Sequence, residues 1–289
     1  MNEFEAELKA RRFVQEVGIT TIPVDLAKYL APFKGKIAED QLDDDEAGYT
    51  MTVAGRGPLI TLNANDREAR RRFTACHEVG HLVLELPSEH ELGPGWSYFR
   101  RPLHEICCDV FAAELLLPYK LFIAQAGNRS LNFATVDELR ILFKASREAT
   151  ASRLAATSKM ACGYVLSEGG QVRHLVRSAA LRAANAWLPP GSPVPSQSAA
   201  HGLRVGTDFS GERTHAGDVW FDGWGDVEMI ESSIFIRGYD QTLTLLSCAD
   251  QDDVDAISQK QREERSDGDD GLLKPLDGQL PWPSGKRRG

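Results

Sequence analysis

Two histidines and a glutamate stand at the spacing of a metal-binding helix: His77-Glu78-x-x-His81, inside FTACHEVGHLVLEL at residues 73–86. At 3.6 residues per turn, His77 and His81 project from one helix face and Glu78 lies at its edge. Imidazole nitrogens suit zinc, and a carboxylate beside the first ligand is placed to take a proton from a metal-activated water. In the bland alternative these are surface histidines and a solvated charge. The pattern around them argues otherwise, because Val79, Leu82, Val83 and Leu86 form an opposite, apolar arc suited to a core.

A third ligand is available. Glu105, 24 residues beyond His81, opens HEICCDVFAAELLL (104–117), a strong helical pattern stopped by Pro118. Asp109 falls one turn later on the same face, where it can accept the outer N–H of a ligating histidine and fix its tautomer. Small residues, Gly80 and Ala112, allow the two helices to approach closely. Cys76, Cys107 and Cys108 are softer rivals. Cys76 points away from the histidine face, adjacent cysteines cannot share one face, and buried free cysteine is common, so all three are read as core. His90 and His104 are read as surface histidines, with a substrate-facing role as the sharper alternative. Tyr98, Arg100 and His104 are the candidates for stabilising an oxyanion.

These residues need elements to hold them. Phe4, Leu8, Val14 and Val17 suggest an amphipathic helix ending at Gly18, and a second helix follows through Leu30. The acidic run 39–46 is read as a solvated loop, lacking the glycine and alternation of a calcium site. Ala47–Val53 and Leu59–Leu62 flank a Gly-Arg-Gly turn and predict a hairpin, whose second strand ends at Asn63 before a helix capped by Asn65 or Asp66. An open edge on the strand at 58–63 would hold an extended peptide across the metal.

Further along, Thr135 and Glu138 suggest a capping box opening a helix at 135–144, followed by another from about 147 to 157. Such a pair resembles a helix-turn-helix, with Arg147 and Arg153 as DNA-facing residues; the acidic chain and the lack of a basic stripe favour simple packing. Residues 163–178 read as a hairpin, 178–187 as a helix and 188–200 as a loop. DVWFDGW, EMIESSIFIRG and QTLTLLSC then read as strands with a core of Val219, Trp220, Ile234, Ile236, Leu243, Leu245 and Leu246. The expected fold class is α+β. Residues 1–160 form a metallopeptidase domain that includes the helical pair at 135–158. Residues 163–249 are expected to form a β-rich domain, and 250–289 a disordered tail.

Composition narrows the class. A hydrophobic share of 42% is that of an ordinary globular chain, and a net charge of −9 does not suit a general nucleic-acid binder. The charged N-terminus lacks a signal-peptide core, no apolar run is long enough for a membrane, and five scattered cysteines give no disulfide framework. A cytoplasmic location is expected.

The series PLITLN (58–63), RRRFTACHEVGHLVLELP (70–87) and HEICCDVFAAELLLP (104–118) resembles the ImmA/IrrE family of metallopeptidases over roughly residues 5–160. The resemblance implies a compact gluzincin-like zinc peptidase fold. It implies zinc, or manganese in its place, held by His77, His81 and Glu105, with Glu78 as general base. Family members cleave helix-turn-helix repressors, so the implied partner is an XRE-type repressor, and IrrE-like proteins carry a sensor-like C-terminal domain, which implies sensing or substrate docking for residues 163–249. Asp109 fits the family pattern, whereas Cys107 stands where many members have a glutamate. Two other classes are weighed beside this: a non-enzymatic regulator binding DNA or protein, and a zinc hydrolase of non-peptide amides. A closed structural site would prefer four protein ligands, so three with a flanking glutamate fit an open site better.

Overall fold

Asn2 and Glu5 cap each other's ends of the first turn of helix α1 (Glu3–Val17), and Gly18 closes it in the left-handed region. The computed structural model describes residues 1–52, 55–87, 102–127, 129–250, 252–257 and 259. The buried face of α1 is Ala6, Ala10, Phe13 and Val14; Phe4 and Leu8, expected inside, are exposed. Small alanines win that face because α1 lies directly against helix α4 (Leu103–Leu116). Asp25 caps the short α2 (Leu26–Leu30), which a 3-10 turn at Ala31–Phe33 extends.

Three strands follow: β1 (Lys36–Asp40), β2 (Gly48–Met51) and β3 (Leu59–Asn63). β3 lies in the middle, parallel to β1 and antiparallel to β2. This corrects two expectations. Glu39 and Asp40 belong to a strand rather than a loop, and the strand at 58–63 has no open edge; among the described residues the outer strands are β1 and β2. The cause is a long-range parallel pairing, Lys36 with Leu59 through Asp40 with Asn63, which no local pattern announces. Asn63 then ties down the acidic loop, its side-chain amide donating to the carbonyls of Asp43 and Glu46.

Helix α3 (Glu68–Leu84) begins after Arg67 with no side-chain cap, so Asn65 and Asp66 do not serve as foreseen; Asp66 instead pairs with Arg70 at 3.0 Å. It packs along α4, which starts after Pro102 and stops before Pro118. Next come α5 (Tyr119–Ala126), α6 (Phe133–Phe143) and α7 (Arg147–Thr157). The cap of α6 is Asn132, which accepts from Thr135 N–H, so the expected Thr135 capping box is not formed. Arg147 and Arg153 are used internally. Arg147 forms a bidentate pair with Asp137, and Arg153 meets Glu114 and the Leu117 carbonyl. Glu114 also accepts from Tyr119 N–H, so this buried carboxylate fastens α4, α5 and α7 together.

A second sheet has the order β5-β4-β8-β7-β6, antiparallel throughout, from β4 (Cys162–Glu168), β5 (Gln171–Arg177), β6 (Glu212–Ala216), β7 (Glu228–Ile236) and β8 (Gln241–Cys248). Between β5 and β6 lie α8 (Ala179–Ala183), shorter than expected, and α9 (Ala199–Val205), in what reads as loop. DVWFDGW is not a strand: it holds a 3-10 turn at Gly217–Val219 and further turns, and its aromatics Trp220, Phe221 and Trp224 are buried. Residues 252–257 are helical with Val254 buried, and most of the expected tail lies outside the described residues.

Strand alternation splits the second sheet between two cores. Tyr164, Leu166, Leu243 and Leu245 face inward and join the core built by α1–α7 and β3. Val165, Val172, Met229, Leu246 and Cys248 face outward, under Leu181, Trp220, Phe221 and Trp224. The seven residues expected to form one core are therefore divided: Leu243 and Leu245, with Ile234 and Ile236 against them, serve the first core, and Trp220, Leu246 and Val219 the second. The α+β class holds.

Candidate metal centre

His77 and His81 are one turn apart on α3, and Glu105 reaches them from the first turn of α4. The helices come close at Gly80, where an added Cβ would lie 3.3 Å from Cys108 Cα; Ala112 on α4 is fully buried. His77 Nε2 and His81 Nε2 are 3.0 Å apart, with Glu105 oxygens 3.1 Å from the first and 3.5 Å from the second. One ligand atom from each of the three lies within 4.8 Å of the others. Sequence reasoning brought these residues together and the fold places them so.

The outer nitrogens explain why inner ones converge. His77 Nδ1 faces Asp109 Oδ1 at 2.9 Å, and His81 Nδ1 faces the Leu86 carbonyl at 3.3 Å. Both partners are acceptors, so each Nδ1 carries a proton, and each imidazole, once its Nε2 is deprotonated, turns that lone pair inward. Two lone pairs and a carboxylate then point at one small space, which only a shared proton or a cation reconciles. Burial disfavours a charge on His77, yet hydrogen bonds to Asp109 and Glu105, with the charges of Asp109 and Glu78, carry its pKa up to about 9. A metal ion entering there displaces that proton. Nitrogen and carboxylate donors in this number fit zinc with a position left for water, and manganese is also compatible.

Glu78 is buried beside the cluster, and one of its oxygens, Oε2, accepts a hydrogen bond from Thr50 Oγ1 at 2.7 Å. Thr50 escaped the sequence reading, as did the Leu86 carbonyl; a threonine on a short strand carries no signal of a contact 28 residues away. His104 Nε2 is 3.6 Å from Glu105 Oε1. His90, Tyr98 and Arg100 lie outside the described residues. The three cysteines are buried, and burial pushes the Cys76 thiol up to about 12 and raises Cys107 and Cys108, which suits core packing.

Two imidazoles and a carboxylate meeting across two helices, beside a small mixed sheet, make the arrangement of a metallopeptidase-type domain. Residues 18–155 match the model of the IrrE N-terminal-like domain, a peptidase family. Over 87 residues the chain is 29% identical to Uncharacterized immunity region protein 2 of Bacillus phage phi105, covering 30% of this chain and 52% of that protein, about half its length. A solved structure described as a Mycobacterium tuberculosis transcriptional regulator superposes with a TM-score of 0.52 at 13% identity, covering 86% of this chain and 76% of that one. At that identity the likeness concerns the fold. Among the described residues no helix is long and apolar enough to cross a membrane.

Proposed function

We propose that this protein is a zinc-dependent endopeptidase whose substrate is a helix-turn-helix repressor of the XRE type, cut so that repression is relieved. The observation that carries the hydrolytic part is the convergence of His77 Nε2, His81 Nε2 and the Glu105 carboxylate, with the buried Glu78 carboxylate beside them. When bound, zinc supplies Lewis acidity, polarising a carbonyl and bringing a water's pKa towards about 7. Glu78 takes the proton of the attacking water as the C–O bond forms, then passes it to the amine nitrogen as the tetrahedral adduct collapses and the C–N bond breaks. Asp109 keeps the His77 imidazole in the tautomer a metal requires. His104, so near Glu105, is retained as a donor for the substrate oxygen.

The repressor rests on the phage relative, whose name places it in an immunity region, and on the resemblance to repressor-cleaving peptidases. Arg147 and Arg153 are engaged with Asp137 and Glu114, which supports a packed helical pair over a DNA-reading one. Docking of the repressor is assigned to the part of the chain at 163–249, where a surface remote from the metal would raise the effective concentration of the scissile segment.

The test is to incubate the purified full-length protein, loaded with zinc or manganese, with the XRE-type repressor encoded beside it. Cleavage is expected from the native protein. Glu78→Gln should keep about one metal per chain and lose cleavage, whereas His81→Ala should lose both. Undiminished cleavage by Glu78→Gln would rule out the general base, and intact repressor in every reaction would rule out this substrate.

A further inference from the structure

Glu78 is gripped from outside its own helix. Thr50 lies on β2 and donates its hydroxyl to Glu78 Oε2 at 2.7 Å. The contact follows from how β2 crosses α3. Two residues along a strand advance about 6.6–6.8 Å, close to the about 6 Å that four residues advance along a helix. Gly48 and Thr50 share one face of the strand, as Thr74 and Glu78 share one face of the helix. At Gly48 an added Cβ would lie 3.0 Å from Thr74 Cγ2 and 2.6 Å from the Thr61 carbonyl oxygen, so only glycine lets the strand settle this close. One helical turn on, the same approach delivers the Thr50 hydroxyl to the carboxylate. β3 fixes the register from behind, pairing Leu62 with Gly48 and Ile60 with Thr50.

Threonine suits the task. Its branched Cβ restricts χ1, so the hydroxyl is presented in a defined direction. A glutamate's terminal torsion is broad and close to two-fold, so a hydrogen bond to one carboxylate oxygen narrows the orientations open to the plane. We propose that Thr50 is a positioning residue: by holding Oε2 of Glu78 it helps fix the orientation in which the carboxylate meets the attacking water. This rests on the hydrolytic reading of the site.

The test compares the zinc-loaded full chain with its Thr50→Val and Thr50→Ser variants, Thr50→Ala serving if valine packs poorly. In crystal structures, Glu78 should hold one carboxylate orientation in the native and serine forms and a rotated or divided one in the valine form. Zinc content should be equal in all. Repressor cleavage by Thr50→Val should lose about 10- to 100-fold in kcat with little change in KM, and serine should restore it. An unmoved Glu78 in Thr50→Val, or an unchanged kcat, overturns the assignment, as does serine failing like valine. If Glu78 swings in the valine form but the zinc-loaded native protein cleaves nothing, the anchoring stands and the peptidase reading falls.

Discussion

Asp109 never touches the space where a metal would sit, yet it decides what His77 presents to it. Its carboxylate, 2.9 Å from His77 Nδ1, selects the tautomer and helps raise the ring's pKa to about 9. Asp109→Asn keeps the shape but can turn a donor to the ring, and is expected to weaken metal binding about 10- to 100-fold, read by competition with a chromophoric chelator. Because the raised pKa means that the ring binds a proton at neutral pH, metal uptake in the native protein should release protons and weaken as pH falls; unbuffered calorimetry or a pH-indicator dye reads this directly. The cluster of His77, His81 and Glu105 was legible in sequence because its members sit on two helices whose faces follow from spacing alone. Thr50 was not, since its contact depends on which strand crosses α3 and at what height.

At the scale of elements, the approach of α3 to α4 is the condition for a site at all. Gly80→Leu places a side chain where Cys108 Cα already lies within 3.3 Å of a Cβ, so the helices must separate. The expected result is loss of metal together with a lower melting temperature, the cost of overpacking being about 1–3 kcal/mol. A second junction is Glu114, buried with Arg153 against it. Glu114→Ala leaves that guanidinium with the Leu117 carbonyl but no carboxylate, and should destabilise the fold by about 3–5 kcal/mol, measured by urea unfolding. Helices and hairpins with caps and alternation, such as α1, α7, β4–β5 and β7–β8, were visible in the chain. β1 was hidden because a parallel partner lies across the hairpin, and α9 because a proline- and serine-rich stretch masks its Ser198 cap. The run 218–224 misled because its aromatics are buried from turns rather than from a strand.

On the molecule's outer side, one buried acid ties the second core's turns and helix to its sheet. Glu231, with no exposure, accepts from His215, Trp220, the Ala200 N–H and Ser233. Burial alone would raise its pKa, but these four donors outweigh it and hold the carboxyl below its usual value of 4.5. The stability it contributes is therefore present above about 4.5 and lost as pH falls through its lowered folded value. Glu231→Gln should flatten the acid limb of a stability–pH curve obtained by urea titration. His215 acts oppositely: burial resists its charge, yet Glu231 and the Ala216 carbonyl raise its pKa above 6.5, so its contribution is full below that value and fades as pH rises through the raised one. Both groups sit on the outward side of the sheet, whereas Leu243 and Leu245, on the inward side, share a core with the helices of the metal centre. One sheet thus belongs to two neighbours, and calorimetry should record a single melting transition. For anyone recombining this chain with a relative, the seam does not run between β4 and α7. A transplanted C-terminal segment has to bring an inner face cut to its new host's helices, while the outer face travels freely.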